Sequence, residues 1–235
     1  MKRSEINKII ESGVKFFKEM NFLLPPYAYF SKEDWAKAAD CQEIFDLQLG
    51  WDVTTFGSGD FKKMGLLLFT LRNGELNNPQ YPKPYAEKIM MVLEGQVTPR
   101  HFHWNKCEDI INRGGGNLVI ELFHADPQSN SLTGKDFGIA VDGCKRHMKS
   151  GDKLILHPGE SVCLEPVHCH TFYGEAGKGA VLVGEVSMVN DDSNDNCFVD
   201  GMPRFDLVEE DEAIATYLTT DYPALINEKL KSKKL

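Results

Sequence analysis

The 235-residue chain has no run approaching the roughly 18 consecutive apolar residues that a membrane-spanning helix requires. Its first residues lack the charged and then apolar pattern of a secretion leader, so export is not expected. The six cysteines (41, 107, 144, 163, 169 and 197) are scattered and form no CxxC pair, which excludes the common zinc and dithiol motifs. Free thiols in a reducing cytoplasm are the expectation. Positive charge is also short, with 26 Lys and Arg against 35 Asp and Glu and a formal net charge of −9. That balance argues against nucleic acid as a partner, since such binding needs a basic face. Gly114-Gly115-Gly116 has neither the GxGxxG nor the GK[ST] spacing of a phosphate cradle, which favours an unphosphorylated ligand.

The length suffices for one large domain with a full core. No linker, repeat or low-complexity run divides it, so residues 1–235 are expected to form a single domain. Residues 4–20 read as a helix, because Ile6, Ile9, Ile10, Val14, Phe17 and Met20 recur at three- and four-residue steps, with Ser4 as a candidate cap. Pro25-Pro26 ends it, and a second short helix starts at Ser31 with the S-x-x-D pattern to Asp34. These helices make residues 1–46 a helical extension that packs outside the main body or on a partner subunit. Short strands dominate from Leu47, including residues 65–71, 88–93, 118–123 and 180–186, several apolar on both faces as in a two-sheet barrel. Residues 207–235 read as a tail of acidic turns and a final helix, with residues 229–234 a solvated basic end.

The richest stretch runs from Gly95 to Gly114, with the spacing G-x5-HxH-x4-E-x5-G. On a strand His101 and His103 point to the same face. Glu108 follows after Trp104-Asn105-Lys106, polar enough to reverse the chain. Two imidazoles and a carboxylate on one face form a borderline-hard donor set for a divalent metal. A later segment, from Gly151 to Phe172, breaks apolar runs at Pro158-Gly159 and Pro166-Val167 and reads as short strands of a hairpin. It carries His168 and His170, which share a face, so parity does not choose between them. Cys107 and Cys169 neighbour these residues at odd offsets and face away.

The two blocks together resemble the cupin superfamily, in which a first motif supplies two His and a Glu and a second supplies a third His. The second block departs from the usual PxG-x2-H-x3-N form and is closer to the sugar-isomerase cupins. That register makes His170, ahead of Thr171-Phe172, the fourth ligand, with His168 a neighbour. Further strings are similar to the D-lyxose ketol-isomerase family: Glu87-Lys88, Gly95-Gln96, Thr98-Pro99, His101 to Trp104, Lys106, Glu108 to Leu118, and Gly184-Glu185-Val186-Ser187. Asn190-Asp191-Asp192 and Asp195-Asn196-x-Phe198 continue the likeness, which spans about residues 10–220 and is densest over 85–118. The resemblance implies a mainly β, single-domain cupin, a jelly-roll barrel with flanking terminal helices. It also implies a metal-dependent aldose–ketose isomerase acting on free sugars such as D-lyxose and D-mannose. Manganese is the expected ion, held by His101, His103, Glu108 and His170, and a homodimer the expected assembly.

Beyond the ligands, Lys88 stands in an otherwise apolar strand, where an unpaired ammonium would be costly, so it is expected at a polar cavity. Lys106 lies two residues before Glu108 and shares its face if the strand extends that far. Glu185 follows Val181-Leu182-Val183 and must reach the cavity or pair with a cation such as Arg204 or Lys88. Glu185 is the expected proton shuttle, with Lys88 and Lys106 stabilising substrate oxygens and Asp192 the reserve base. Arg113, Asp195 and Arg204 are candidates for substrate binding, although turn-building competes with that role at Arg113 and Asp195. Two other readings stay open: an Fe(II)-dependent cupin dioxygenase and a non-catalytic sugar-binding cupin.

Overall fold

The computed structural model describes residues 1–192 and 194–232, and the side chains of residues 228–232 lie outside that description, as does the basic stretch 229–234 as a charged surface. Helix α1 (Arg3–Glu19) forms where Ile6, Ile10, Gly13 and Phe17 recur on one face and become buried. Ser4 does not cap it. The cap position is Lys2, and Ser4 sits inside the first turn, where its N–H and hydroxyl donate to Asp211 at 2.9 and 2.8 Å. Helix α2 (Lys32–Lys37) begins at Ser31 as expected, with a reciprocal cap: the Asp34 N–H donates to Ser31 Oγ and the Ser31 N–H to the Asp34 carboxylate. A five-residue helix α3 (Gln42–Asp46) follows with no side-chain cap bond, which is why its start carries no signal in the sequence.

Strands then take over: β1 (Gly50–Thr54), β2 (Leu66–Arg72), β3 (Tyr85–Val92), β4 (Thr98–Phe102), β5 (Glu108–Gly115), β6 (Leu118–Asp126) and β7 (Ser131–Leu132). They continue as β8 (Phe137–Val141), β9 (Cys144–Met148), β10 (Asp152–Leu156), β11 (Ser161–Leu164), β12 (His168–Gly174), β13 (Val181–Met188) and β14 (Cys197–Phe198), before helix α4 (Tyr222–Ser232). Two curled sheets result. One runs β1-β2-β3-β13-β5-β11-β8-β9 and the other β10-β6-β12-β4-β14, with every pairing antiparallel. The architecture is mainly β and cupin-like, with helices on the flank.

The segment from Gly151 to Phe172 does not form the expected hairpin. β10 pairs β6, β11 pairs β5 and β8, and β12 pairs β4 and β6, so successive strands alternate between the sheets. The Pro158-Gly159 and Pro166-Val167 corners carry the chain across the rim, with positive φ at Gly159 (98°) and Val167 (64°). The reason is burial: Leu154, Leu156, Val162, Leu164 and Phe172 all face one interior cluster between the sheets, which two strands of a simple hairpin would enter from one side only.

A second cluster lies outside the first sheet. Leu67, Phe69, Ile89 and Met91 alternate with the inward residues of β2 and β3 and meet Ile6, Ile10 and Phe17 of α1. Gly13 permits this approach, since a Cβ there would lie 2.3 Å from the Leu67 side chain. Phe17 stacks on Trp51 at 6.0 Å. No helix of the described residues is long and apolar enough to cross a membrane.

Arg3 ties this helix to the far end of the chain. Its fully buried side chain meets Glu210 at 2.7 and 2.9 Å and Asp221 at 2.8 and 3.0 Å. Arg3→Met keeps most of the stem and removes the charge, leaving the largely buried Asp221 carboxylate without its cation. Urea denaturation should show a loss of about 2–4 kcal/mol, below the full cost of breaking a buried pair because Glu210 is half exposed. An unchanged midpoint would contradict that role.

Candidate metal centre and proton-transfer site

Three strand ends build the site. His101 is in β4, His103 follows that strand directly, and Glu108 opens β5 after the intervening turn. β12 runs beside β4 with His170 opposite His101, and their ring centroids are 4.2 Å apart. The corner before β12 is pinned to the same turn, because the Val167 N–H donates to the His103 carbonyl at 3.0 Å. Glu108 Oε1 lies 3.5 Å from His103 Nε2 and 3.4 Å from His170 Nε2.

Backbone contacts set the tautomers. Nδ1 of His101 faces the Pro99 carbonyl at 2.8 Å, Nδ1 of His170 faces the His168 carbonyl at 3.1 Å, and Nδ1 of His103 faces the Asp195 carbonyl. A ring nitrogen facing a carbonyl must donate, so each neutral ring carries its lone pair on Nε2. Burial, reinforced by the other two imidazoles, pushes the His101 pKa well below its usual value, and burial pushes His170 down as well. Both are therefore neutral at pH 7, the form that binds metal.

The donor set fits a divalent cation. Glu108 Oε1 and His170 Nε2 are buried without a hydrogen-bond partner, two acceptors facing each other across 3.4 Å. Leaving such atoms unpaired is costly, and a cation between them removes the cost. The ligand atoms of His101, His103 and Glu108 all lie within 4.8 Å of one another. Three imidazole nitrogens and a carboxylate oxygen suit a borderline-hard ion. His168 stays outside this group: its Nδ1 accepts from the Glu165 N–H at 3.1 Å and its ring packs 5.0 Å from Phe137. No thiol joins either. Cys169 is buried with Phe102 and Ala125 in a separate cluster, and Cys107 Sγ lies 3.6 Å from Cys163 Sγ.

Beside the ligands is a chain of buried charges. Lys106 Nζ is 2.8 Å from Glu108 Oε2 and 2.8 Å from Glu185 Oε1, and Lys88 Nζ is 3.1 Å from the same Glu185 oxygen. Lys88 also donates to Asn190 Oδ1. β13 pairs β3 with Glu185 directly opposite Lys88, which sets that contact. Burial favours the neutral forms of both acids, but Lys106, followed by His103 and His170, outweighs it at Glu108, and Lys106 and Lys88 outweigh it at Glu185. Both carboxyls are held below their ordinary range and are ionised. Arg204 forms a second group with Asp52 and, at 3.2 Å, Asp192, and its buried Nη1 has no partner.

The structure brings Lys88, Lys106, Glu185, Asp192 and Arg204 around the same pocket as His101, His103, Glu108 and His170. It does not bring Arg113 there. β5 turns residues 108, 110 and 112 inward, and Arg113 is exposed on the outer face against Gly184. Asp195 is not available to a substrate either: its carboxylate accepts the N–H groups of Trp104, Asn105 and Lys106 at 2.9, 2.9 and 2.8 Å and so builds the turn between His103 and Glu108. Asp52 and Asn190 were overlooked as site residues. A single acid in the strand Gly50-Trp51-Asp52-Val53-Thr54 was the available signal for the first, and Asn190 had none beyond the quoted string.

The purified protein should carry about one divalent ion per chain, and His170→Ala should lose it while His168→Ala retains it. Asp195→Ala leaves all four ligands in place but frees their turn, and should weaken metal affinity by roughly 10- to 100-fold. Elemental analysis after dialysis and titration calorimetry read both. Metal loss from His168→Ala alone would reassign the fourth ligand.

The D-lyxose isomerase family model matches residues 1–222. The chain is 52% identical over 225 residues to a D-lyxose/D-mannose isomerase of Escherichia coli O157:H7, covering 94% of this chain and 98% of that one. It is 50% identical over 224 residues to a protein of the same name from Serratia proteamaculans, with the same coverage. Among solved structures it is similar in fold to the L-ribose isomerases of Acinetobacter sp. DL28 and Cellulomonas parahominis, each at TM-score 0.59 and 13% identity, over 89% of this chain and 98% of theirs. The chain belongs to the D-lyxose isomerase family.

Proposed function

We propose that the protein interconverts the free sugars D-lyxose and D-xylulose, and also D-mannose and D-fructose, by moving a proton between C1 and C2. The observation that carries this reading is Glu185, an ionised carboxylate buried between Lys88 and Lys106 in the pocket of the four ligands. The relatives' shared name supports the two sugars. A divalent ion held by His101, His103, Glu108 and His170, for which we propose manganese, would supply Lewis acidity at the carbonyl and neighbouring hydroxyl oxygens.

The protein's own groups account for the remaining chemistry. Both lysines contact Glu185 through Oε1, so Oε2 keeps lone pairs with which to take the proton from C2 and return it to C1. Each ammonium has three N–H donors. Lys106 directs two at Glu108 and Glu185, and Lys88 two at Glu185 and Asn190, which leaves one apiece for an oxygen that gains negative charge in the enediol. Arg204, with Nη1 unpaired, is placed to hold a hydroxyl, and its pair with Asp192 makes that carboxylate a holder of Arg204 more than a base. The exposed Tyr85, Val186 and Met188 on the outer face of β3 and β13 support a homodimer, and the free thiols support a cytoplasmic setting.

Manganese-loaded protein assayed against a panel of pentoses and hexoses should produce the corresponding ketoses from D-lyxose and D-mannose. Glu185→Gln keeps volume but cannot accept the proton. Metal content should stay near wild type while kcat falls by roughly 10²- to 10⁴-fold. Turnover in D2O should leave deuterium on the carbon that received the proton. Near-normal kcat in the variant would assign the base elsewhere.

A further inference from the structure

β2 carries one face from the metal pocket outwards. Leu66 and Leu68 line that pocket, while Leu68 and Thr70 line a second cavity beyond it. Neighbouring strands extend the floor, with Asp52 opposite Leu68 on β1 and Lys88 opposite Thr70 on β3. Asp192 borders both cavities, and Asp52 of the outer one is bound to Arg204 of the inner one. Their sizes differ widely. The metal pocket has about 40 Å³, enough for a few water molecules at roughly 10–15 Å³ each. The outer cavity has about 540 Å³, within the roughly 300–1,000 Å³ of small-molecule sites. A five- or six-carbon polyol therefore cannot lie wholly in the inner pocket.

The outer cavity has its own chemistry. Asp46, Asp52, Glu75, Asp191 and Asp192 line it, and among the described residues no lysine or arginine does. Arg204 balances Asp52 and Asp192, which leaves an acidic excess towards Asp46 and Glu75. Neutral polar groups complete the wall. Asn73 and Asn190 exchange two hydrogen bonds at 2.9 and 3.1 Å, and Asn190 in turn receives Lys88, so this wall is joined to the lysine that holds Glu185.

The geometry points to a two-compartment site. The reacting carbons of an open-chain sugar sit in the metal pocket, and its distal, hydroxyl-bearing carbons lie in the acidic cavity, whose carboxylates repel any substrate ending in an anion. This rests on the isomerase reading and adds Thr70 and Glu75 as specificity-determining residues. Thr70 is buried on the floor of the cavity, where the sixth carbon of a hexose has to be accommodated. Glu75 is exposed and accepts a bond from Asn78 in its own loop at 2.7 Å, so its replacement disturbs neither the core nor the ligands.

The test uses metal-loaded full-length protein with D-lyxose, D-mannose and, as inhibitor of lyxose turnover, D-mannose 6-phosphate. In Glu75→Lys the inhibition constant of the phosphate should fall by roughly 3- to 10-fold at low salt, and the gain should fade as salt is added. In Thr70→Leu kcat/KM for mannose relative to lyxose should fall roughly 5-fold or more, with metal content retained. An unchanged inhibition constant in Glu75→Lys overturns the acidic wall. An unchanged mannose-to-lyxose ratio in folded Thr70→Leu overturns the placement of the distal carbons. Failure of the wild-type protein to turn over any free sugar is a separate result, which overturns the isomerase reading and this one with it.

Discussion

Glu108 and Glu185 are buried within reach of one ammonium, that of Lys106, at 2.8 Å from each. Neither carboxylate could remain ionised in that position alone, because burial favours the neutral acid. Lys106 holds both charges in place and separates their tasks. Glu108 turns Oε2 to the lysine and presents Oε1, unpaired, to the histidines. Glu185 receives a second cation from Lys88 and stays ionised as well. Such a network is a demanding arrangement for a protein interior, since any missing partner leaves a bare charge. The network lies directly against the two orphaned atoms, Glu108 Oε1 and His170 Nε2, of the candidate metal site.

The strand weave supplies the positions. Consecutive strands β10 to β13 alternate between the two sheets, so β12 comes to lie beside β4 with His170 against His101, while β13 lies between β3 and β5 with Glu185 opposite Lys88. The second sheet therefore presents His101 and His170, with His103 just past the end of β4, and the first sheet presents Glu108, Glu185 and Lys88, facing them across the barrel interior. Asp195 closes the arrangement by fastening the turn from which Lys106 projects. α1 covers the outward face of the first sheet around Leu67, Phe69, Ile89 and Met91 of β2 and β3, and the inward face is left to the site and the interior packing.

Much of the site was legible in the chain because its key parts are local. His101, His103, Lys106 and Glu108 lie within one strand-turn-strand, where the HxH spacing gives the two histidines a common face and the polar turn brings Glu108 back towards them. Lys88 and Glu185 were conspicuous as charges inside apolar runs. Arg113 is five residues from Glu108, an odd offset that turns it outward once β5 is continuous. Other features depend on partners remote in sequence. The Asp52–Arg204 pair spans 152 residues, and Asp195 reaches back about 90 residues to the turn it holds. A polar loop residue looks alike whether it binds a substrate or its own backbone. The rim corners were equally ambiguous, since Pro-Gly and Pro-Val turns serve a hairpin and a crossing between sheets alike; what decides is which faces must be buried together.

The orphaned atoms of Glu108 and His170, with His101 and His103, are proposed to bind a single divalent ion. Crystals grown with manganese and measured at the manganese absorption edge test it most directly. One anomalous peak per chain is expected, bonded to Nε2 of the three histidines and to Glu108 Oε1, with His168 uninvolved. A peak at His168 or elsewhere, or an ordered water in that position with no anomalous signal, would contradict it.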